Sequence, residues 1–134
     1  MVAVIKVEGI GPAYAEKLKK VGIVTTEALL KQGATPAGRK SLEEKTGISH
    51  SLLLEWVNHA DLFRIKGVGE EYSDLLEEAG VDTVVELAQR KPENLLEKMA
   101  EVNRAKKLVR RLPVLSQVRD WVEQAKKLPR VVSY

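Results

Sequence analysis

The sequence predicts an all-α fold of two pseudo-twofold-related helical units. Three observations predict it: an internal repeat, apolar residues at helical spacing, and helix start and stop signals recurring along the chain. Residues 7–30 align with residues 65–88 at a constant shift of 58, without a gap. Gly9, Gly11, Tyr14, Leu18, Gly22, Thr25 and Leu29 fall on Gly67, Gly69, Tyr72, Leu76, Gly80, Thr83 and Leu87. Three of these identities are glycines, which mark backbone demands rather than shared composition. The similarity returns where Leu53, Trp56, Val57 and Ala60 match Val118, Trp121, Val122 and Ala125 at a shift of 65. A repeat decides the architecture. Duplication therefore sets one unit over residues 1–64 and a second over 65–134, packed as one compact domain.

Each element has a local cause. Pro12 suits the first turn of a helix, where its missing N–H leaves no bond unmade, and Gly22 stops that helix. Thr25 can cap a second short helix, and Thr35-Pro36 starts a third that ends near Gly47. Ser49 caps a fourth, in which Leu53, Trp56, Val57 and Ala60 form one apolar stripe. In the second half, elements are expected to start near Glu70, Val84, Pro92, Arg104 and Ser116. Thr83 with Glu86 three residues on makes a capping box, Pro113 breaks the chain and Pro129 ends the last helix. Strand signals are confined to residues 2–7 and 130–134, which can pair as a short ribbon between the termini. No stretch reads as a flexible linker.

Composition narrows the function classes. With 134 residues the chain can bury a core unaided, and the absence of cysteine excludes disulfides and thiolate metal sites. No window approaches the ~20 apolar residues of a membrane span, and the first residues lack the charged start of a signal peptide. A cytoplasmic protein is expected. Charge is nearly balanced at 22 basic to 19 acidic residues, but it is segregated. Residues 65–103 hold four basic and ten acidic side chains, whereas residues 104–134 hold nine basic and two acidic.

Both repeats open on apolar-x-Gly-apolar-Gly: Val7-Glu8-Gly9-Ile10-Gly11 and Ile65-Lys66-Gly67-Val68-Gly69. The glycines let the backbone turn tightly, Ile10 or Val68 can plug the turn into the core, and a helix follows directly. The amides at that helix start have no partner within the helix and stand at the positive end of its dipole. Such a site accepts phosphate, and a pair of them could hold both strands of a duplex without reading sequence.

With these residues the chain resembles the helix-hairpin-helix superfamily of DNA-binding modules that do not read sequence. The likeness is strongest from Gly9 to Leu18 with Gly22-Ile23, and from Gly67 to Leu76 with Gly80-Val81. The whole chain is also similar to a bacterial family of unknown function built from two such units, on residues 54–62, 64–72 and 128–132. The resemblance implies a non-catalytic module that contacts the DNA or RNA backbone. Gly9, Ile10, Gly11 and Ala13 would supply amides and Lys17 and Lys20 charge. Arg64 and Lys66 would do so beside Gly67, Val68 and Gly69. Glu70 and Glu71 suit the helix dipole but repel phosphate, which leaves the first hairpin the better anion site. That hairpin lacks a full preceding helix, and the Trp121 helix is expected to fold back and brace it.

Other readings stand beside this one. Arg104, Lys107 and Arg111 would share a helical face that tracks phosphates, or that face would oppose the acidic side chains Glu70, Asp74, Glu77 and Glu78. A protein–protein scaffold docking through either surface is the alternative function. Trp56, Trp121, Tyr14 and Tyr72 read as packing residues. His50 and His59 lack a third ligand in the sequence pattern, so no metal is expected, and neither a cofactor nor a small-molecule substrate is nominated. DNA glycosylases of the superfamily follow their hairpin with a Gly/Pro-rich loop ending in a catalytic Asp. Here only Asp74 and Asp82 follow, in a helix and a capped turn, and no enzyme is expected.

Overall fold

A computed structural model describes residues 2–134 and is helical throughout its regular structure. Among the described residues there are eight α-helices: α1 (Pro12–Lys19), α2 (Thr26–Gly33), α3 (Pro36–Thr46), α4 (His50–Leu62), α5 (Glu70–Glu78), α6 (Val84–Ala88), α7 (Pro92–Lys106) and α8 (Leu115–Lys127). A short 3-10 turn (Val4–Lys6) precedes them.

The starts follow from local chemistry. Thr25 Oγ1 accepts the Ala28 N–H at 3.2 Å, Thr35 Oγ1 that of Gly38 at 3.0 Å, and Ser49 Oγ that of Leu52 at 3.3 Å. Each hydroxyl satisfies one of the amides that a helix start leaves orphaned. Ahead of α6, Glu86 Oε2 reaches back to the N–H groups of Asp82 (2.8 Å) and Thr83 (3.0 Å). Pro12, Pro36 and Pro92 each occupy the first turn of their helix.

Two expectations are corrected. Among the described residues no ribbon joins residues 2–7 to 130–134. Val4–Lys6 coils into the 3-10 turn, and the Val4 N–H donates to the Val24 carbonyl at 2.9 Å. An isolated antiparallel bridge between Ala3 and Thr25 is the sole trace of extended pairing among the described residues. Nor does a helix start at Arg104. Helix α7 runs through that residue, and Lys107 ends it in the left-handed conformation (φ 52°). The chain is then irregular up to Leu115. The stretch from Glu93 through Arg104 holds no breaker, so propagation beyond a started helix outweighs a fresh start.

The chain forms two compact units, one of Met1–Asp61 with Val131–Tyr134 and one of Leu62–Arg130. The closing four residues thus belong with the first unit, not the second. In unit 1, α2 packs on α3 and the 3-10 turn on α1. Its core gathers Leu18, Ile23, Leu29, Leu53, Trp56 and Val57, all fully buried. Arg39 is also buried there, at 1% exposure. Its guanidinium donates to the Gly33 carbonyl at 2.8 Å and to the Ser133 carbonyl at 2.6 Å. Burial pushes this group below its ordinary value, while the charge of Tyr134 raises it. In unit 2, α8 packs on α6 and α7, and α5 on α7. The apolar stripe Val118, Trp121, Val122 and Ala125 is buried with Leu75, Leu76 and Leu87.

Candidate functional site

The first glycine turn is closed by the Ile10 N–H, which donates to the Val7 carbonyl at 3.0 Å. Gly9 takes the third position with φ +92°, a conformation L residues rarely adopt. A Cβ on Gly9 would stand 3.1 Å from Trp56 Nε1, so the indole of α4 forms the floor of the turn. Tyr14 lies edge-on to the same indole, with ring centroids 5.0 Å apart. Ile10 is buried beneath the turn.

Unit 2 has the same local arrangement. The Val68 N–H donates to the Ile65 carbonyl at 3.1 Å, and Gly67 takes φ +96°. A Cβ there would stand 2.9 Å from Trp121 Nε1, and Tyr72 meets that indole with centroids 5.2 Å apart. Trp121 therefore braces the turn of its own unit, at Gly67. The expectation that its helix folds back onto the first hairpin is corrected. Trp56 fills that place, on a helix that follows its turn in sequence rather than preceding it.

Beyond each turn the backbone straightens. Gly11 (φ −88°, ψ −178°) and Gly69 (φ −103°, ψ −163°) cap α1 and α5 in extended conformations that any residue adopts. A Cβ at either meets nothing within 4 Å. No side chain caps either helix. The first amide bonded back into α1 is that of Ala15, to the Gly11 carbonyl at 2.9 Å, and in α5 that of Ser73, to Gly69 at 2.9 Å. Pro12 carries no N–H, so Ala13 and Tyr14 present open amides at the first site. At the second, Glu70, Glu71 and Tyr72 do.

The expected donors divide accordingly. Gly9, Gly11 and Ala13 lie together around the first helix start, and Gly67 and Gly69 around the second. The amides of Ile10 and Val68 are already spent on closing their turns, so these two residues hold the turn and donate nothing outward. Lys17 has its ammonium 5.7 Å from the Tyr14 ring centroid, on the exposed side of α1. Lys20 follows the last residue of α1, at the end away from the turn. The Arg64 guanidinium donates to the Pro129 carbonyl at 2.9 Å. The Lys66 side chain is exposed, while its N–H donates to Gln124 Oε1 at 2.8 Å and its carbonyl accepts from Gln124 Nε2 at 3.1 Å.

The basic stretch after α7 has a geometry the sequence pattern missed. Lys107, Arg110 and Arg111 do not extend a helix, so the expected face of Arg104, Lys107 and Arg111 is not formed. The side-chain amide of Asn103 clips the loop by bonding the Val109 N–H (3.0 Å) and carbonyl (3.2 Å). Val109 and Pro113 are buried, and Tyr72 Oη donates to the Arg111 carbonyl at 3.0 Å. Lys106 pairs with Glu78. Among the described residues Arg104, Lys107, Arg110 and Arg111 are exposed and form no ion pair. Asn103, whose side-chain amide can clip backbone beyond a helix end, is the signal that could have found this loop; in the sequence Pro113 marks only the break after it.

Residues 8–128 match a family model described as "Domain of unknown function (DUF4332)". The match spans most of the chain, and the chain belongs to that family. No curated protein and no solved structure matches it. No helix among the described residues is long and apolar enough to cross a membrane.

Proposed function

We propose that this member of a family of unknown function is a non-catalytic binding module built from two pseudo-twofold-related helix-hairpin-helix units. It contacts the phosphate backbone of DNA or RNA without reading sequence. The observation that carries the reading is the pair Gly11 and Gly69. Neither backbone strain nor close packing demands glycine at either: the backbone is extended and the space beside it is open. What bare backbone at a helix start provides is close approach to uncapped amides, which suits a phosphate. The first hairpin is the stronger site, because Ala13 leaves its amides clear and Lys17 adds charge on the same helix. Glu70 and Glu71 weaken the second.

The test is fluorescence anisotropy of a labelled random duplex titrated with the full chain at low and moderate salt. Micromolar binding that weakens steeply with salt is expected. Gly11→Asp separates binding from folding. An aspartate in extended backbone caps the orphan amides itself, which holds or raises thermal stability, and its carboxylate repels phosphate. At least tenfold weaker binding is expected. Unchanged affinity in Gly11→Asp, or no binding by the parent chain at low salt, makes the hairpins structural corners.

The scaffold reading has one observation in its favour. A mainly apolar groove in unit 1 is lined by Ala3, Val4, Ile5, Ala15, Ile23 and Val24, with Glu16 and Lys19 beside them. Ile5 and Val24 on its rim are about half exposed, at 47% and 53%. Binding to a protein, undisturbed by Gly11→Asp and lost on Ile5→Glu, would favour it.

A further inference from the structure

We infer that the loop over residues 107–111 is a second phosphate-backbone contact, supplying unit 2 with cations that offset the Glu70 and Glu71 carboxylates at its own helix start. The inference rests on the backbone-binding reading above and deepens it.

The loop is built to hold a fixed shape while presenting charge. Its backbone is tied at three points: the Asn103 amide on Val109, the buried Val109 side chain, and the Tyr72 hydroxyl on the Arg111 carbonyl. None of these ties uses a basic side chain. Lys107, Arg110 and Arg111 therefore stay exposed, and Arg104 joins them from the last turn of α7. Lys106 alone among these five basic residues has an ion-pair partner among the described residues, Glu78. Lys107 also holds a positive φ. A cation suits the negative end of a helix, yet asparagine or glycine would end α7 without the strain of a left-handed lysine. Local stability does not account for this concentration of unpaired charge.

Placement argues for phosphates over an acidic protein segment. Tyr72 lies in the first turn of α5, so its bond to Arg111 ties the loop to the helix whose start carries the open amides of Glu70 and Glu71. The two carboxylates repel phosphate there, and the loop sets opposite charge nearby. Its length also fits. Four residue steps reach at most about 14 Å, and a nucleic-acid strand presents one phosphate per roughly 3.4 Å of duplex axis. Three neighbouring phosphates on one strand cover about 7 Å of that axis, within the loop's reach.

The experiment is a salt series on the full chain with the labelled random duplex as probe, comparing the parent with Lys107→Asn/Arg110→Gln/Arg111→Gln. Asparagine tolerates the left-handed position and the other two changes are on exposed side chains, so the variant folds, as a thermal melt verifies. Each lost contact should lower the slope of log affinity against log salt by about 0.9, so the triple variant should lose a slope of two to three. Its affinity at low salt should fall at least tenfold. If the parent binds and the variant keeps both slope and affinity, the loop inference is overturned while the hairpin reading stands. If neither binds the duplex at low salt, both are overturned. Binding to poly-glutamate that the triple variant loses, with no duplex binding, would overturn the phosphate assignment and give the loop to an acidic protein partner.

Discussion

At Gly67 both conformation and space exclude a side chain: the backbone is left-handed and the Trp121 indole stands where a Cβ would press. At Gly69, two residues on, neither constraint holds. The two glycines should therefore separate in a stability measurement. Gly67→Ala should cost about 2–3 kcal/mol, from backbone strain plus displacement of a packed ring. Gly69→Ala should stay within about 1 kcal/mol, the usual range for a surface change that also trades a good N-cap for a poor one. Urea denaturation of the two variants checks this, and equal losses would mean the Trp121 floor yields freely. Arg39 gives a second residue-scale expectation. Arg39→Ala removes the donor of two carbonyl bonds inside unit 1 and should cost about 3 kcal/mol, by denaturant midpoint. The amide of Ser133, bonded to the Ala34 carbonyl at 2.8 Å, should then exchange faster.

Elements here begin where a few neighbouring side chains dictate. Helix α6 has five residues, far too short to hold without help. The reach of Glu86 back to two amides and its packing against α8 supply that help. Glu86→Ala should cost about 1 kcal/mol, and far-UV and thermal melts will read it. At the start of α7, Glu93 is held below its ordinary carboxylate value by its own backbone N–H first and by the Arg119 guanidinium at 3.0 Å second. A depressed carboxylate contributes stability that is present above its unfolded pKa and lost as pH falls through the folded one. Both partners are exposed, so the contribution is small. Glu93→Gln should therefore leave neutral-pH stability nearly unchanged and flatten slightly the acid limb of a pH–stability curve.

These local signals explain why most element boundaries were legible. Thr25, Thr35, Ser49, Pro12, Pro36 and Pro92 act on residues within one turn of themselves, and the structure uses each of them so. The apolar stripes around Trp56 and Trp121 were legible too, because period alone specifies a buried face. The errors lie where an element's fate depends on something distant. Past Arg104, the tie that shapes the chain after α7 is the Asn103 amide on Val109, six residues on, which helical spacing does not show. The ribbon at the termini failed because Val4 donates to the Val24 carbonyl and Val2 accepts from the Thr26 N–H instead.

At the scale of the whole molecule, what the sequence withheld was pairing. Spacing cannot say which indole lies under which glycine turn, and the assignment of Trp121 to the first turn was wrong for that reason. The same blindness hid three other distant partners: Gln124 on Lys66, Tyr72 on Arg111, and Arg39 on Ser133. Of the candidate site, the glycines and open amides were legible from local chemistry. The spent amides of Ile10 and Val68 followed only once the turns were seen closed.

The bond from Arg39 to Ser133 has a consequence for the order in which the protein is made. A chain is synthesised from its N-terminus at about 5–20 residues per second, and domains generally fold as units. Residues Leu62–Arg130 are all produced before Val131–Tyr134, although the latter complete unit 1. The unit that emerges first therefore waits on the ribosome with one acceptor of its buried guanidinium still to come, while the later unit already has every residue it needs. Arrested ribosomes that display the chain to residue 130, fully extruded, should carry unit 2 protected from protease and α3 open to cleavage.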